Sequence, residues 1–374
     1  MSTQIDKRKF IPVYEPRLSG KEKEYVLDCL KSNWISSIGK YIAKFEDKFS
    51  KFCGRKHGVA TSNGTTALQL ALLVTGVGSG DEVIVPDLTF IASANAVTYT
   101  GAKPVFADVE EETWTIDPGE IRKKVNPRTK AIMVVHLYGH PANMDEVRDI
   151  ARQHKLLLIE DAAEAHGALY KGKKVGSLSD LACFSFYGNK IITTGEGGMI
   201  VTNSASLAQK ARFLRDHGMS RRKRYWHTAI GYNFRLTNIQ AAIGLAQLEK
   251  IRETISRKRK IARLYNQYLT GIKELTLPKE ASWAKNVYWM YSILINPAFG
   301  ISRDELGAKL KKSGIDSRPF FFPLHKLPPY RNSDKYPVAE KLSKAGLNLP
   351  SSPALTEPEI KYISESIRKC QRGK

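Results

Sequence analysis

Through the middle of the chain, short apolar runs alternate with stretches whose apolar residues recur at helical spacing. Residues 82–86 (EVIVP), 104–109 (PVFADV), 131–137 (AIMVVHL), 156–160 (LLLIE), 181–187 (LACFSFY) and 199–202 (MIVT) read as strands. Several are apolar on successive positions, the pattern of a strand covered on both faces. Helical patterns, such as residues 144–154, lie between several of them. This alternation predicts an α/β fold around a mostly parallel sheet.

Beyond residue 238 the pattern changes. Residues 238–269 contain no proline, and Leu245, Leu248, Ile251 and Ile255 recur at helical spacing, extended by Ala262, Tyr265 and Leu269. The spacing predicts one long helix that bridges two domains. We expect a large domain over 1–250 and a smaller C-terminal α/β domain over 251–374. The second should hold a strand at 291–295, a helix near 303–312 and an aromatic, proline-rich stretch at 318–330.

Composition narrows the class. A chain of 374 residues buries enough apolar surface to fold without disulfide staples. Its four cysteines, Cys29, Cys53, Cys183 and Cys370, show neither zinc-ligand nor disulfide-framework spacing, so free thiols in a reducing cytoplasm and no metal are expected. The N-terminal MSTQIDKRKFIPVYEP lacks the apolar core of a signal peptide, and no run is long enough to span a bilayer. A cytoplasmic protein without a membrane partner is the expectation. The net charge of +22 attracts polyanions, whether nucleic acid or a nucleotide diphosphate. It is densest at 221–224 (RRKR) and 257–260 (RKRK). No zinc-finger spacing, aromatic RNA-binding signature or DNA-reading helix pair accompanies it, so a solvated basic surface is the simpler reading and nucleic acid is not expected.

Three segments carry candidate chemistry. In TSNGTTALQLALL (61–73), Ser62 or Asn63 can cap a helix, Gly64 lets backbone approach a ligand, and Thr65 adds a hydroxyl. The free N–H groups of such a helix start bind phosphate, although a capped helix that binds nothing has the same sequence. In IEDAAEAHG (159–167), an apolar strand delivers Glu160 and Asp161 at its C-terminal end, where ligands of open α/β sheets sit. Either carboxylate could pair with a protonated ring nitrogen, or be an ordinary strand-end acid. In FSFYGNKIITTGEGG (184–198), Lys190 lies among small and aromatic residues, with Ser185 five residues before it. A lysine in a desolvated site can become an imine-forming amine; an isolated lysine is usually a surface group. Together, and in this order, the segments supply what pyridoxal phosphate requires: a phosphate cup, an acid for the pyridine nitrogen and a lysine for the aldehyde.

With these segments in view, the chain resembles the DegT/StrS family of sugar aminotransferases, which have the aspartate aminotransferase-like fold type I. The resemblance runs from IPVYEPRLSGKEKEY to SRPFFFPLH. The runs WISSIGKYIAKFE, VVHLYGHPANMD, FSFYGNKIITTGEGGMI and IGYNFRLTNIQAAIGLAQLE are most similar to the subgroup that makes GDP-perosamine by aminating C4 of GDP-4-dehydro-6-deoxy-mannose. By this resemblance Lys190 holds the cofactor and Asp161 keeps its pyridinium protonated. Glu164 falls near the cofactor's 3′-oxygen, where many relatives have glutamine. Gly64, Thr65 and Ser185 form the phosphate cup, and Phe90 stacks on the ring. Asn233 matches an asparagine that reaches the phosphate of a neighbouring subunit, which implies a homodimer with shared active sites.

On the sugar side the resemblance points to Arg235 near the diphosphate, although a structural ion pair is its plainer reading. His325 is placed near the hexose, or alternatively in the core. Trp34 and Ser36 are placed at the sugar pocket, with a buried aromatic anchor the simpler reading of Trp34. The resemblance further implies a ping-pong transamination with L-glutamate as donor and Lys190 as the proton carrier, with lipopolysaccharide O-antigen synthesis as the expected destination of the product. Lysine at 190 separates the chain from related sugar dehydratases, which have histidine there. Other UDP- or dTDP-linked 3- or 4-keto sugars are the alternatives, as is a non-catalytic basic nucleic-acid-binding or regulatory protein.

Overall fold

The computed structural model of the protein describes residues 10–220 and 222–371. Residues 1–9 of the N-terminal segment, Arg221 of the basic run and residues 372–374 lie outside them. In chain order the strands begin with β1 (His57–Thr61), β2 (Glu82–Pro86), β3 (Lys103–Ala107), β4 (Thr129–Val135) and β5 (Leu157–Asp161). Two short strands, β6 (Leu169–Tyr170) and β7 (Lys173–Lys174), precede β8 (Leu181–Ser185) and β9 (Gly198–Thr202). Among the described residues, seven of these form one sheet in the order β1-β9-β8-β5-β4-β2-β3. The strands from β3 through β8 pair in parallel, and β9 and β1 close the other edge antiparallel. This is the expected α/β fold with a mostly parallel sheet.

The apolar runs are explained by covering on both faces. Along β2, Val83 and Val85 enter one core cluster while Ile84 enters another on the opposite face. The helix Gly64–Val74 packs on the first face, and Met144–Gln153 supplies Met144, Val147 and Ile150 to the second. Each fully buried aliphatic side chain contributes about 1.5–3 kcal/mol. Strand β1 is absent from the sequence expectation, which began at residue 82. Its run HGVAT is short and weakly apolar, and it is recruited by pairing along its whole length with β9.

The expected single helix over 238–269 is two helices, Asn238–Glu249 and Ile251–Leu269, separated at Lys250 (φ −103°, ψ 2°). The first is wedged against the helices Glu22–Ser32 and Lys40–Phe52, whereas the second packs against Glu357–Lys369. Both keep helical periodicity, so the pattern of apolar residues carries no mark of the break. The break falls where the expected domains 1–250 and 251–374 meet.

The later strands are β10 (Leu275–Thr276), β11 (Ala284–Lys285), β12 (Tyr291–Ile295), β13 (Arg318–Pro319) and β14 (Gly346–Leu349). A second, antiparallel sheet has the order β10-β12-β14-β13, while β11 pairs with β6. The helices Arg303–Lys312 and Glu357–Lys369 cover this sheet and share a core with Tyr265, Ile293 and Leu349. No helix among the described residues is long and apolar enough to cross a membrane.

Candidate active site

The period of two along β5 sends its terminal acids to opposite sides. Glu160 is fully buried and accepts from Gly176 N (2.7 Å), Leu178 N (2.9 Å) and the Ser179 hydroxyl (2.7 Å). His136 Nε2 stands 3.1 Å from the same carboxylate, and its Nδ1 accepts the Ala142 N–H, so Nε2 is the protonated nitrogen. Burial alone would push Glu160 up, but His136 and the hydrogen bonds outweigh it and hold the carboxyl below its usual range. Glu160 is therefore a structural acid.

Asp161 faces the other way, into a cavity of about 690 Å³. Its Oδ2 accepts the Ser93 hydroxyl at 2.8 Å and its Oδ1 accepts Ala163 N at 3.2 Å. Burial raises its pKa, with Ser93, Ala163 and the charge of Lys190 pulling against that shift. Both hydrogen-bond donors are neutral. A buried carboxylate whose contacting donors are neutral has no charged group in direct contact, and a cationic ring nitrogen in the cavity would supply one.

Lys190 enters the same cavity from the turn after β8, where its N–H bonds Tyr187 O at 2.9 Å. Its Nζ stands 3.5 Å from Glu164 Oε1 and 3.9 Å from the ring centroid of Trp289. Glu164 Oε2 also accepts Tyr138 N at 2.8 Å. Burial lifts Glu164 to about 7, against the downward pull of Lys190 and the Tyr138 N–H. Tyr138 sits at φ 52°, a costly conformation for a residue with a side chain, and the donated N–H is one return for it.

The third wall is the start of helix Gly64–Val74. Of the two possible caps, Asn63 is the one used: its side chain accepts Thr66 N at 2.9 Å while Thr66 Oγ1 accepts Asn63 N at 3.2 Å. A methyl group on Gly64 would stand 2.7 Å from Ser185 Cβ, so only glycine lets the helix start lie against the end of β8. This brings Gly64, Thr65 and the Ser185 hydroxyl to one end of the cavity. The first N–H groups of a helix, with hydroxyls beside them, are of the kind that can hold an anion.

The structure thus brings together Lys190, Asp161, Glu164, Gly64, Thr65 and Ser185, with Phe90 at the rim, 55% exposed and 5.6 Å from the ring of Phe321. Phe90 also lines an adjoining cavity of about 760 Å³, walled by Tyr14, Arg318 and Phe320. It does not bring the other candidates there. His325 is fully buried, with Nδ1 2.6 Å from Asp87 and Nε2 3.2 Å from Glu340, so it is a core histidine and not a wall of either cavity. Burial raises Asp87 to about 6 despite His325. Arg235 is engaged in an ion pair with Asp216. Trp34 is 54% exposed, not a buried anchor. The carbonyls of Trp34 and Ser36 accept from Asn238, which pins this loop with the indole outward, and neither residue lines a cavity. Asn233 is exposed and lines neither.

Three residues at the site have no sequence signal. Ser93 comes from a short helix, Ala92–Thr98, whose sequence offers no polar pattern. Tyr14, whose hydroxyl donates to Lys190 O at 2.6 Å, and Trp289 arrive from distant segments, and only the tertiary fold places them at the lysine.

Comparison with known proteins agrees with this geometry. The DegT/DnrJ/EryC1/StrS aminotransferase family model matches residues 16–368. The chain is 51% identical to the GDP-perosamine synthase of Caulobacter vibrioides, across 96% of this chain and 97% of that one. It is 50% identical to the GDP-perosamine synthase of Escherichia coli O157:H7, across 98% and 100%. The solved structure of Helicobacter pylori PseC, an aminotransferase involved in the biosynthesis of pseudoaminic acid, superposes with a TM-score of 0.92 at 30% identity, covering 98% of this chain and all of that one. The protein belongs to the DegT/DnrJ/EryC1/StrS aminotransferase family.

Proposed function

We propose that the protein is a pyridoxal-phosphate-dependent aminotransferase that converts GDP-4-dehydro-6-deoxy-mannose to GDP-perosamine, with L-glutamate as amino donor, as a cytoplasmic homodimer. The observation that carries this reading is the convergence of a lysine amine, a buried carboxylate and an open helix start on one cavity. The choice of sugar is supported by the two GDP-perosamine synthases to which half of the chain's residues are identical.

The residues fit the cofactor. Gly64, Thr65 and Ser185 would bind its phosphate, and Asp161 would hold the proton on its ring nitrogen, gaining a charged group in direct contact. Phe90 would stack on the ring, and Glu164 would meet the 3′-oxygen. Pyridoxal phosphate, when bound, supplies an aldehyde that condenses with amines and a ring that takes up an electron pair. Lys190 is placed to hold that aldehyde and, when its amine is free, Nζ would take up and give back a proton. Phe321 and Trp289 form part of the wall around Lys190. Asn233, exposed and not a wall of its own cavity, is suited to reach the phosphate of a second copy.

The test is to convert the bound cofactor to its amine form and offer a panel of keto nucleotide sugars. Loss of the amine-form spectrum with GDP-4-dehydro-6-deoxy-mannose alone is the expected result. A response to a UDP- or dTDP-linked keto sugar instead would overturn the assignment of the sugar, and a protein that never takes up the cofactor would overturn the assignment of the reaction.

A further inference from the structure

The amine of Lys190 lies between two unlike groups, and the chemistry above accounts for neither as a partner of its charge. On one side is Glu164, 3.5 Å away; on the other is the face of Trp289, with its centroid 3.9 Å from Nζ. Two further titratable groups act on the amine from behind. One is Asp161, whose own pKa the lysine pulls down. The other is His166, packed among Phe49, Phe184 and Phe186 and held neutral mainly by burial, which lowers it to about 3.

Trp289 is fixed from three directions. Its Nε1 donates to Asn189 O at 2.7 Å, and its own carbonyl accepts from Lys258 Nζ at 2.7 Å. Its ring stacks on Tyr138 with centroids 6.2 Å apart. The lysine backbone is fixed as well, by the hydroxyl of Tyr14. The side chain of Lys190 is 11% exposed and Trp289 is 5% exposed. The Lys190 backbone and the Trp289 ring are thus held in place, and both side chains are largely shielded from bulk solvent.

We propose that Trp289 is a further catalytic residue: its ring face stabilises the ammonium that Lys190 becomes each time its Nζ takes up a proton. The inference rests on the role given to Lys190 above. An aromatic face carries partial negative charge, indole more than phenyl, and it attracts an ammonium most when water is excluded. The proton balance is closed, because the lone pair of Nζ accepts one proton and the next step gives the same proton up. No co-reactant is needed, and the ring changes neither charge nor bonding. The ring also complements Glu164. That carboxyl, lifted to about 7, turns neutral in mild acid and then offers the ammonium less. The indole does not titrate, so its contribution is the same across that range.

The experiment uses cofactor-free protein and reads the amine itself. Labelling of Lys190 by dinitrofluorobenzene, followed by peptide mass spectrometry from about pH 8 to about pH 11.5, brackets the ordinary lysine value and gives its titration midpoint. Fluorinated tryptophans at position 289 keep the size of the ring and its N–H while draining its face. The midpoint is expected to fall with each added fluorine. Trp289→Leu should lower it by about one unit, so that labelling below the midpoint speeds up about tenfold. The same fluorine series in a Glu164→Gln background should give the same trend, which separates the ring from the carboxylate. A midpoint that stays put or rises along the fluorine series overturns the proposal, even if Trp289→Leu fails to fold. Because the labelling reads a free amine, such a failure leaves cofactor uptake to be judged separately by the spectrum of the loaded protein.

Discussion

Lys190 and Lys258 are both buried amines, and both touch Trp289, but at opposite ends and in different company. Lys190 meets the ring face, opens to a cavity and has Glu164 beside it. Lys258, 1% exposed, donates to the carbonyls of Trp289 and Ser351. Among the described residues no carboxylate lies within ion-pair distance of it. Burial pushes Lys258 well below the ordinary lysine range. Its charged form is disfavoured, and it ties the helix Ile251–Leu269 to the segment entering β12. The comparison teaches that burial alone does not make a lysine a reagent. Lys258 too has a ring near it, that of Tyr14 at 5.2 Å, so what sets Lys190 apart is its access to a cavity and the carboxylate beside it.

The widest separation between the two should appear on deletion. Lys190→Ala should cut turnover by about 10⁴-fold or more, since both the anchoring amine and the proton carrier are lost. The check is a steady-state assay together with the visible spectrum, and a variant that keeps wild-type turnover would refute the comparison at its root. Lys258→Met should leave the cofactor spectrum in place and act on stability. Burial disfavours the proton on Lys258 in the folded state, whereas the unfolded chain holds it up to about pH 10.4, so the unfolded state binds more protons below that value. Wild-type stability should therefore gain on Lys258→Met as pH rises toward that value, by up to about 1.4 kcal/mol per pH unit. Urea midpoints of the two proteins at neutral pH and at about pH 9.5 read this directly. Parallel changes would mean that Lys258 is charged in the fold and the contrast is false.

The same pair marks how far the sequence could be read. Lys190 was legible because it sits in a compact run of small and aromatic residues after a strand, in fixed order with a helix start and a strand-end acid. The doubly covered strands were legible because β2, β8 and β9 are buried at every position and so are apolar at all but a terminal residue. Lys258 was read only as part of a basic run, since helical periodicity does not say which lysine of RKRK points inward. Trp289 was hidden in an apolar stretch, 100 residues beyond the Asn189 carbonyl it caps. His325 was ambiguous for the same reason: its partner Asp87 is 238 residues away. Choosing between Glu160 and Asp161 needed the resemblance, because neighbouring strand positions differ only in the side they face. In each case the missing information is tertiary, a contact between segments whose local patterns are indifferent to it.

The smallest effect concerns the group beside Lys190 that has no counterpart at Lys258. Burial holds Glu164 at about 7, above the ordinary glutamate value of about 4.3. Between those values the folded, cofactor-free protein binds the proton and the unfolded chain does not. The folded state is therefore favoured at the acid end and loses that advantage as pH rises through about 7. Glutamine can still accept the Tyr138 N–H but has no proton to lose. Glu164→Gln should accordingly match or trail the wild type near pH 4.5 and gain on it up to neutrality, with no further change above. The effect should be smaller than that of Lys258→Met, because Lys190 offsets part of the cost of charging the carboxyl. Denaturation midpoints of the two cofactor-free proteins across this range provide the measurement. If the two curves stay parallel, Glu164 is ionised throughout, and the amine of Lys190 sits in a fixed ion pair instead of between a titrating acid and a constant ring.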